Sequence, residues 1–154
     1  LADSTWAARR LCATQWWLCA APAWVAQHGM PTHPDVLLTQ SWLGFARDNG
    51  SLLIELRSPR GEAHALRVEP RIASNNQLSI QQMCEAGLGL ALVGSMDVHE
   101  AVQAGRLVRL LPDWSFGTLD ISAVTPQRDA QPAKVRLAMA AISDYLRQIP
   151  GALD

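Results

Sequence analysis

The sequence predicts an α/β domain. Strand-length apolar runs alternate with segments of helical period, the order expected of helices packed on a sheet. Leu88 to Val93 is almost wholly apolar, as befits a strand covered on both faces. The polar cluster Ser74-Asn75-Asn76 opens a helix directly after a short strand. This alternation predicts mostly parallel strands.

The elements follow in order. Trp16 to Ala20 is a compact apolar run and reads as a strand. Pro22 suits the first helical position, where its missing N–H costs nothing, and Gly29 ends the helix Pro22 to His28. Thr32-His33-Pro34-Asp35 turns into a second short helix through Leu38, and Trp42 to Phe45 is a strand. The turn signals Asp48-Asn49-Gly50 and Pro59-Arg60-Gly61 bracket two strands, Leu52 to Arg57 and Ala63 to Val68, which predicts a hairpin.

Arg71 to Ala73 is a short strand. From Asn76 to Glu85, Ile80, Met83 and Cys84 fall at helical spacing, and Gly87 stops the helix. After the strand Leu88 to Val93, Ser95 reads as an N-cap. Val98, Ala101 and Val102 give the next helix its inner face, and Gly105 ends it. Leu107 to Leu111 and Leu119 to Val124 read as strands. Val135, Met139, Ile142 and Leu146 form the apolar stripe of a long C-terminal helix.

Composition excludes several function classes. The chain has 154 residues, which suits one domain or two small lobes sharing a sheet connection. Half of it is apolar (49%), enough to bury a real core. Thirteen basic residues face fourteen acidic ones, scattered along the chain, so this segment lacks the basic face of a nucleic-acid binder. Cys12, Cys19 and Cys84 have no metal or redox spacing and read as reduced thiols of a cytoplasmic protein. No apolar run approaches the roughly 18 residues that span a bilayer, and the start Leu-Ala-Asp-Ser-Thr-Trp is not a signal peptide. It reads instead as the middle of something longer.

The residues of enzyme chemistry are missing as groups. His28, His33, His64 and His99 do not pair at metal spacing, and His28 and His33, flanking Gly29 and Pro31, read as surface loop residues. Cys84 lies inside an apolar helical stripe and reads as a small buried hydrophobe rather than a nucleophile. Gly87-Leu88-Gly89 follows a helix, so it is not the phosphate-binding turn that must follow a strand. Trp24 and Trp42 are open to a core or a pocket-lining role, with the core favoured. Lys134, Arg136 and Arg147 form an ordinary solvated face.

Ser74, Asn75 and Asn76 are the candidate ligand contacts. One of them suffices to cap the helix, so three in a row leave donors and acceptors to spare. Ligands of open α/β sheets bind beyond the carboxyl ends of strands. Thr125, placed after a strand end, has a hydroxyl that reaches the same crevice in this reading, although a solvated turn residue is its simpler role.

These pieces together resemble one family. Ala21-Pro22-Ala23-Trp24 with His28-Gly29 and Pro31, Ser74 followed by Glu85-Ala86-Gly87-Leu88-Gly89-Leu90-Ala91, Ala104-Gly105-Arg106-Leu107-Val108 with Leu111-Pro112-Asp113-Trp114, and Ala123-Val124-Thr125-Pro126 before Ala133-Lys134-Val135-Arg136 resemble the effector-binding domain of LysR-type transcriptional regulators. The match runs through nearly the whole chain.

The resemblance implies a periplasmic-binding-protein-like (type 2) two-lobed fold, with the second lobe complete over 22–110 and the first lobe partial over 1–21 and 111–154. It implies hinge crossings near Ala20–Pro22 and Leu110–Asp113. It also implies a small, carboxylate-bearing effector between the lobes, in reach of Ser74, Asn75, Asn76 and Thr125, a homo-oligomer, and DNA contact only through an N-terminal helix-turn-helix absent from this chain. No cofactor, metal or membrane partner is implied. Gly94 departs from the family, which often has proline there.

A fragment of a solute-binding transport protein is the alternative, since that fold is similar, but Leu-Leu-Pro-Asp-Trp and Thr-Pro-Gln-Arg favour the regulator. An α/β enzyme is disfavoured by the missing nucleophile, base and metal clusters. With part of the first lobe absent, the stripe Val135–Leu146 and the edge Trp16–Cys19 are expected to be exposed and to promote self-association.

Overall fold

The computed structural model describes residues 6–45, 50–126 and 132–154. Its backbone is organised around one long strand. β1 (Trp6–Ala20) is flanked by β6 (Leu90–Gly94) and β7 (Val108–Leu110) at its C-terminal end, and by β8 (Thr118–Pro126) and β9 (Ala152–Leu153) further back. All four pairings are antiparallel. β2 (Trp42–Phe45) joins β6 and β5 (Ile72–Ser74) in parallel, giving the order β5-β2-β6-β1-β7. β3 (Leu52–Arg57) and β4 (Ala63–Val68) form the expected hairpin as a separate sheet.

The expectation of mostly parallel strands is therefore corrected. Parallel pairing is confined to β5, β2 and β6, because β1 runs against every neighbour it has. Strand direction leaves no trace in apolar periodicity. β1 also starts ten residues earlier than its apolar run, since Trp6 to Arg10 are exposed and rich in Ala and Arg, poor strand formers. Trp16 to Cys19 are not an open edge: they pair with β6, and Leu18 and Cys19 are fully buried.

The pleat sends successive residues to opposite faces. Leu18, Trp42 and Leu90 face a core completed by Ile54, Leu56, Leu66 and Val68 of the hairpin. Their sequence neighbours Cys19, Leu43 and Ala91 face a second core completed by α2 (Gln77–Glu85) and α3 (Ser95–Gln103). Trp42 is core rather than pocket, its Nε1 donating to the Leu37 carbonyl at 2.8 Å. Trp24, on α1 (Pro22–His28), stacks on His28 with 4.6 Å between ring centroids.

α2 and α3 end alike. Gly87 (φ 79°) and Gly105 (φ 72°) take the left-handed conformation just past the helix. The next amides, Leu88 and Arg106, reach back to the Met83 and Ala101 carbonyls at 3.0 and 2.8 Å. The Arg106 side chain then pairs with Glu85 at 3.1 Å, joining the two helix ends. Gly89 is needed for a different reason: a Cβ there would lie 2.6 Å from the Ser41 carbonyl oxygen.

Ser95 is not the N-cap of α3. Gly94 holds that position, and Ser95 is the first helical residue, buried, with its hydroxyl donating to the Gly151 carbonyl at 2.7 Å. The capping oxygen comes from another strand, Thr14 Oγ1 accepting from Met96 N at 3.1 Å.

α4 (Ala133–Arg147) packs on β1 through Met139 and Ser143, not through Ile142, which is 51% exposed. A bulge between Arg10 and Cys12 releases the Leu11 carbonyl from the β1–β8 ladder. Ser143 Oγ donates to that carbonyl at 2.9 Å and Arg147 Nε at 3.3 Å, which is why a serine sits inside the helix face. Among the described residues no helix is long and apolar enough to cross a membrane.

Candidate functional site

The parallel strands β5, β2 and β6 end at one edge of the sheet, and α2 and α3 begin there. A cleft of about 1200 Å³ wraps this edge. Its floor is Trp16, Leu43 to Phe45 and Leu92. The hairpin β3–β4 and the segment Ser115 to Leu119 form its walls, and Gln77 and Asp97 project from the two helix starts. The volume is at or above the roughly 300–1,000 Å³ of ordinary small-molecule sites.

Ser74 ends β5 directly beside Phe45, a cleft residue, and Asn76 precedes Gln77, another. The polar triplet thus lies at the rim of the cleft rather than in its lining. Two of its members are engaged locally. Asn76 is the N-cap of α2, its Oδ1 accepting from Ser79 N at 3.2 Å, and Ser74 Oγ accepts from Asn76 N at 3.1 Å. Asn75 is exposed, with its amide turned to neither bond. Thr125 is not brought to this rim. β8 continues through Pro126, and Thr125 lies opposite Ala7, six residues beyond the cleft residue Leu119. At about 3.3 Å per residue that is roughly 20 Å away.

Gln77 and Asp97 were not singled out by the sequence. Both have unmet bonding capacity. Gln77 Nε2 is buried with no hydrogen-bond partner among the described residues. Burial pushes the Asp97 carboxyl above the usual aspartate range, and no ion pair or hydrogen bond among the described residues offsets it. The Asp97 carboxylate occupies space that Gly94 leaves open, since a Cβ on Gly94 would lie 2.8 Å from Asp97 Oδ2. It is the glycine at position 94 that makes room for this carboxylate.

The histidines are partly clustered in space. His33 and His64 meet edge-on at 5.6 Å between centroids, each against Trp114. Among the described residues no group of three or more His, Cys, Asp or Glu could hold a metal. Cys84 is fully buried, with its thiol directed at the Cys19 carbonyl at 3.4 Å. Burial pushes both the Cys19 and Cys84 thiols up to about 12. Neither is a nucleophile near neutral pH.

The model of the LysR substrate binding domain matches residues 1–147, nearly the whole chain. The chain belongs to the LysR substrate-binding-domain family. It is 30% identical over 151 residues to the transcriptional activator AaeR of Escherichia coli K12, covering 97% of this chain and 48% of AaeR. It is 33% identical over 142 residues to the regulator DmlR of the same organism, covering 92% of this chain and 46% of DmlR. It thus spans about half the length of the curated relatives it matches. The full-length structure of the Vibrio cholerae virulence activator AphB aligns over 93% of this chain and 49% of AphB, with a TM-score of 0.77 and 28% identity. The LysR substrate-binding domain has the periplasmic-binding-protein-like type 2 fold, and the mixed sheet described above is that fold in this chain.

Proposed function

We propose that this LysR-family domain senses a small molecule on behalf of a longer DNA-binding regulator. The observation that carries the reading is the cleft at the carboxyl ends of the parallel strands, in a chain matched by the family along nearly all its length. Residues 22–110 would act as one lobe, with 1–21 and 111–154 belonging to the other. The chain crosses between them at Ala20–Pro22 and Leu110–Asp113. The strained backbone of Leu111 (φ 47°) lies at the second crossing, where a hinge would concentrate its conformational change.

Ser74, Asn75 and Asn76 would orient the effector from the rim, and Asn75 is the member with its side chain still available. Thr125 stands outside this set because of its distance along β8. Effector binding can shift the angle between lobes, or the packing of subunits, only by its differential affinity for the two states. Such a shift would reposition DNA-binding domains joined to this one in a homo-oligomer acting in the cytoplasm. The role is regulatory rather than enzymatic. A transport-protein reading has no support in the relatives matched, which are named as regulators.

A thermal-shift screen of the 154-residue chain against small carboxylates, amino acids and aromatic acids tests this. A reproducible rise in melting temperature with one chemical class is expected. No rise with any class would overturn the effector-sensing role of this cleft.

A further inference from the structure

The cleft is lined by two polar groups whose requirements are opposite, one of them the buried Gln77 amide nitrogen and the other the exposed Asp97 carboxylate. Among the described residues the Asp97 carboxylate has no donor, and the Gln77 amide nitrogen has no acceptor. They stand at the starts of the two helices that open on the same cleft. A buried amide nitrogen is costly unless something pairs with it, and the Asp97 carboxylate is open to a cation entering the cleft. Arg57 also lines the cleft, but it makes no ion pair with Asp97 and instead donates to the Gly61 carbonyl within its own hairpin at 3.3 Å. The lining also offers apolar surface, with Ile54, Leu92 and Phe116, while Glu55 and His64 enter it from the hairpin.

We propose that the cleft takes a small zwitterion of the amino-acid class, its ammonium group against the Asp97 carboxylate, an oxygen of its carboxylate on Gln77 Nε2, and an apolar side chain against Ile54, Leu92 and Phe116. The inference rests on the reading of this cleft as an effector site and narrows its chemistry from carboxylates in general to amine-bearing ones. Gly94 belongs to the same device. A Cβ at position 94 would lie 2.8 Å from Asp97 Oδ2, so any side chain there obliges the carboxylate to shift from its present place. Asp97 is thereby the specificity-determining residue, since it rewards a cation and penalises a ligand that carries only negative charge.

The test is calorimetric titration of the 154-residue chain with the apolar amino acids, each beside its deaminated acid and its decarboxylated amine; L-phenylalanine, 3-phenylpropanoate and phenethylamine form one such set. At least one amino acid is expected to bind about tenfold or more tightly than both of its truncated partners. Asp97→Asn should abolish the advantage over the deaminated acid, and Gln77→Leu the advantage over the amine. Deaminated acids binding as well as their amino acids, unaffected by Asp97→Asn, would overturn this inference and leave the effector reading standing. Binding of no member of any set, alongside a flat screen of all other classes, would remove both.

Discussion

The hydroxyls of Thr14 and Ser95 lie 3.0 Å apart, buried, at the point where β1 passes the start of α3. Around them every polar group is answered: Gln15 N donates to Ser95 Oγ at 3.1 Å, Met96 N to Thr14 Oγ1 at 3.1 Å, and Ser95 Oγ to the Gly151 carbonyl at 2.7 Å. Three segments far apart in sequence are joined here, beside the cleft residue Asp97.

Removing one hydroxyl strands the partners of that hydroxyl. Ser95→Ala is expected to destabilise the chain by about 1–3 kcal/mol, the cost of leaving a buried polar group unpaired. Gly151→Ala should also destabilise, by more than about 1 kcal/mol, because φ is 89° and a Cβ would lie 2.8 Å from the Ser95 carbonyl. Urea midpoints of the two variants check both. An unchanged midpoint for Ser95→Ala would mean that the network contributes nothing net.

Cys19 and Cys84 predict an alkaline limit. Their thiols ionise near 12 when folded and near 9 in the unfolded chain, so between those values the folded state holds the extra protons. The stability they provide is complete below about pH 9 and is lost as pH rises toward 12. The slope is roughly 1.4 kcal/mol per pH unit for each thiol. Urea unfolding at pH 8 and pH 10 should show the loss, and Cys84→Ala should lessen it. In the folded chain at pH 8, both thiols should react with a disulfide reagent far more slowly than in urea.

Capping and binding separate at the polar triplet. Asn76→Ala should cost about 0.5–2 kcal/mol as a lost N-cap, so weakened ligand binding by that variant would be ambiguous. Asn76→Ser keeps a capping oxygen. Asn75→Ala removes no bond among the described residues and should leave the stability within about 0.5 kcal/mol of the parent. Under the proposed function it nevertheless lowers the affinity of whichever compound the screen identifies. Unchanged affinity in calorimetry would take Asn75 out of the site.

Asp97 predicts a trade of stability against binding. Burial raises its carboxyl above 3.8, so the folded state favours the protonated form, and stability falls as pH rises through the window just above 3.8. Asp97→Asn carries no such charge. It should melt at a higher temperature than the parent at pH 7, with the gap closing as pH falls toward 4. Equal melting temperatures at pH 7 would show that the carboxylate is solvated and costs the fold nothing.

By itself the sequence determined most of the elements and the family. The hairpin turns, the glycines ending α2 and α3, the apolar strand β6 and the polar opening of α2 are all signalled locally, by residues whose backbone or pairing needs are met within a few positions. The tertiary structure alone decided what depends on distant partners. The length and direction of β1 come from strands more than a hundred residues away, as in the pairs Trp6–Pro126 and Ala13–Leu153, and β9 pairs over only two residues. Ser143 faces inward because a bulge in β1 frees the Leu11 carbonyl, and Ser95 surrenders the cap to Thr14 because Gly151 claims its hydroxyl. The cleft chemistry was hidden for the same reason. Gln77 and Asp97 are ordinary polar residues in the sequence, and only the fold places both in one cavity and withholds partners from them.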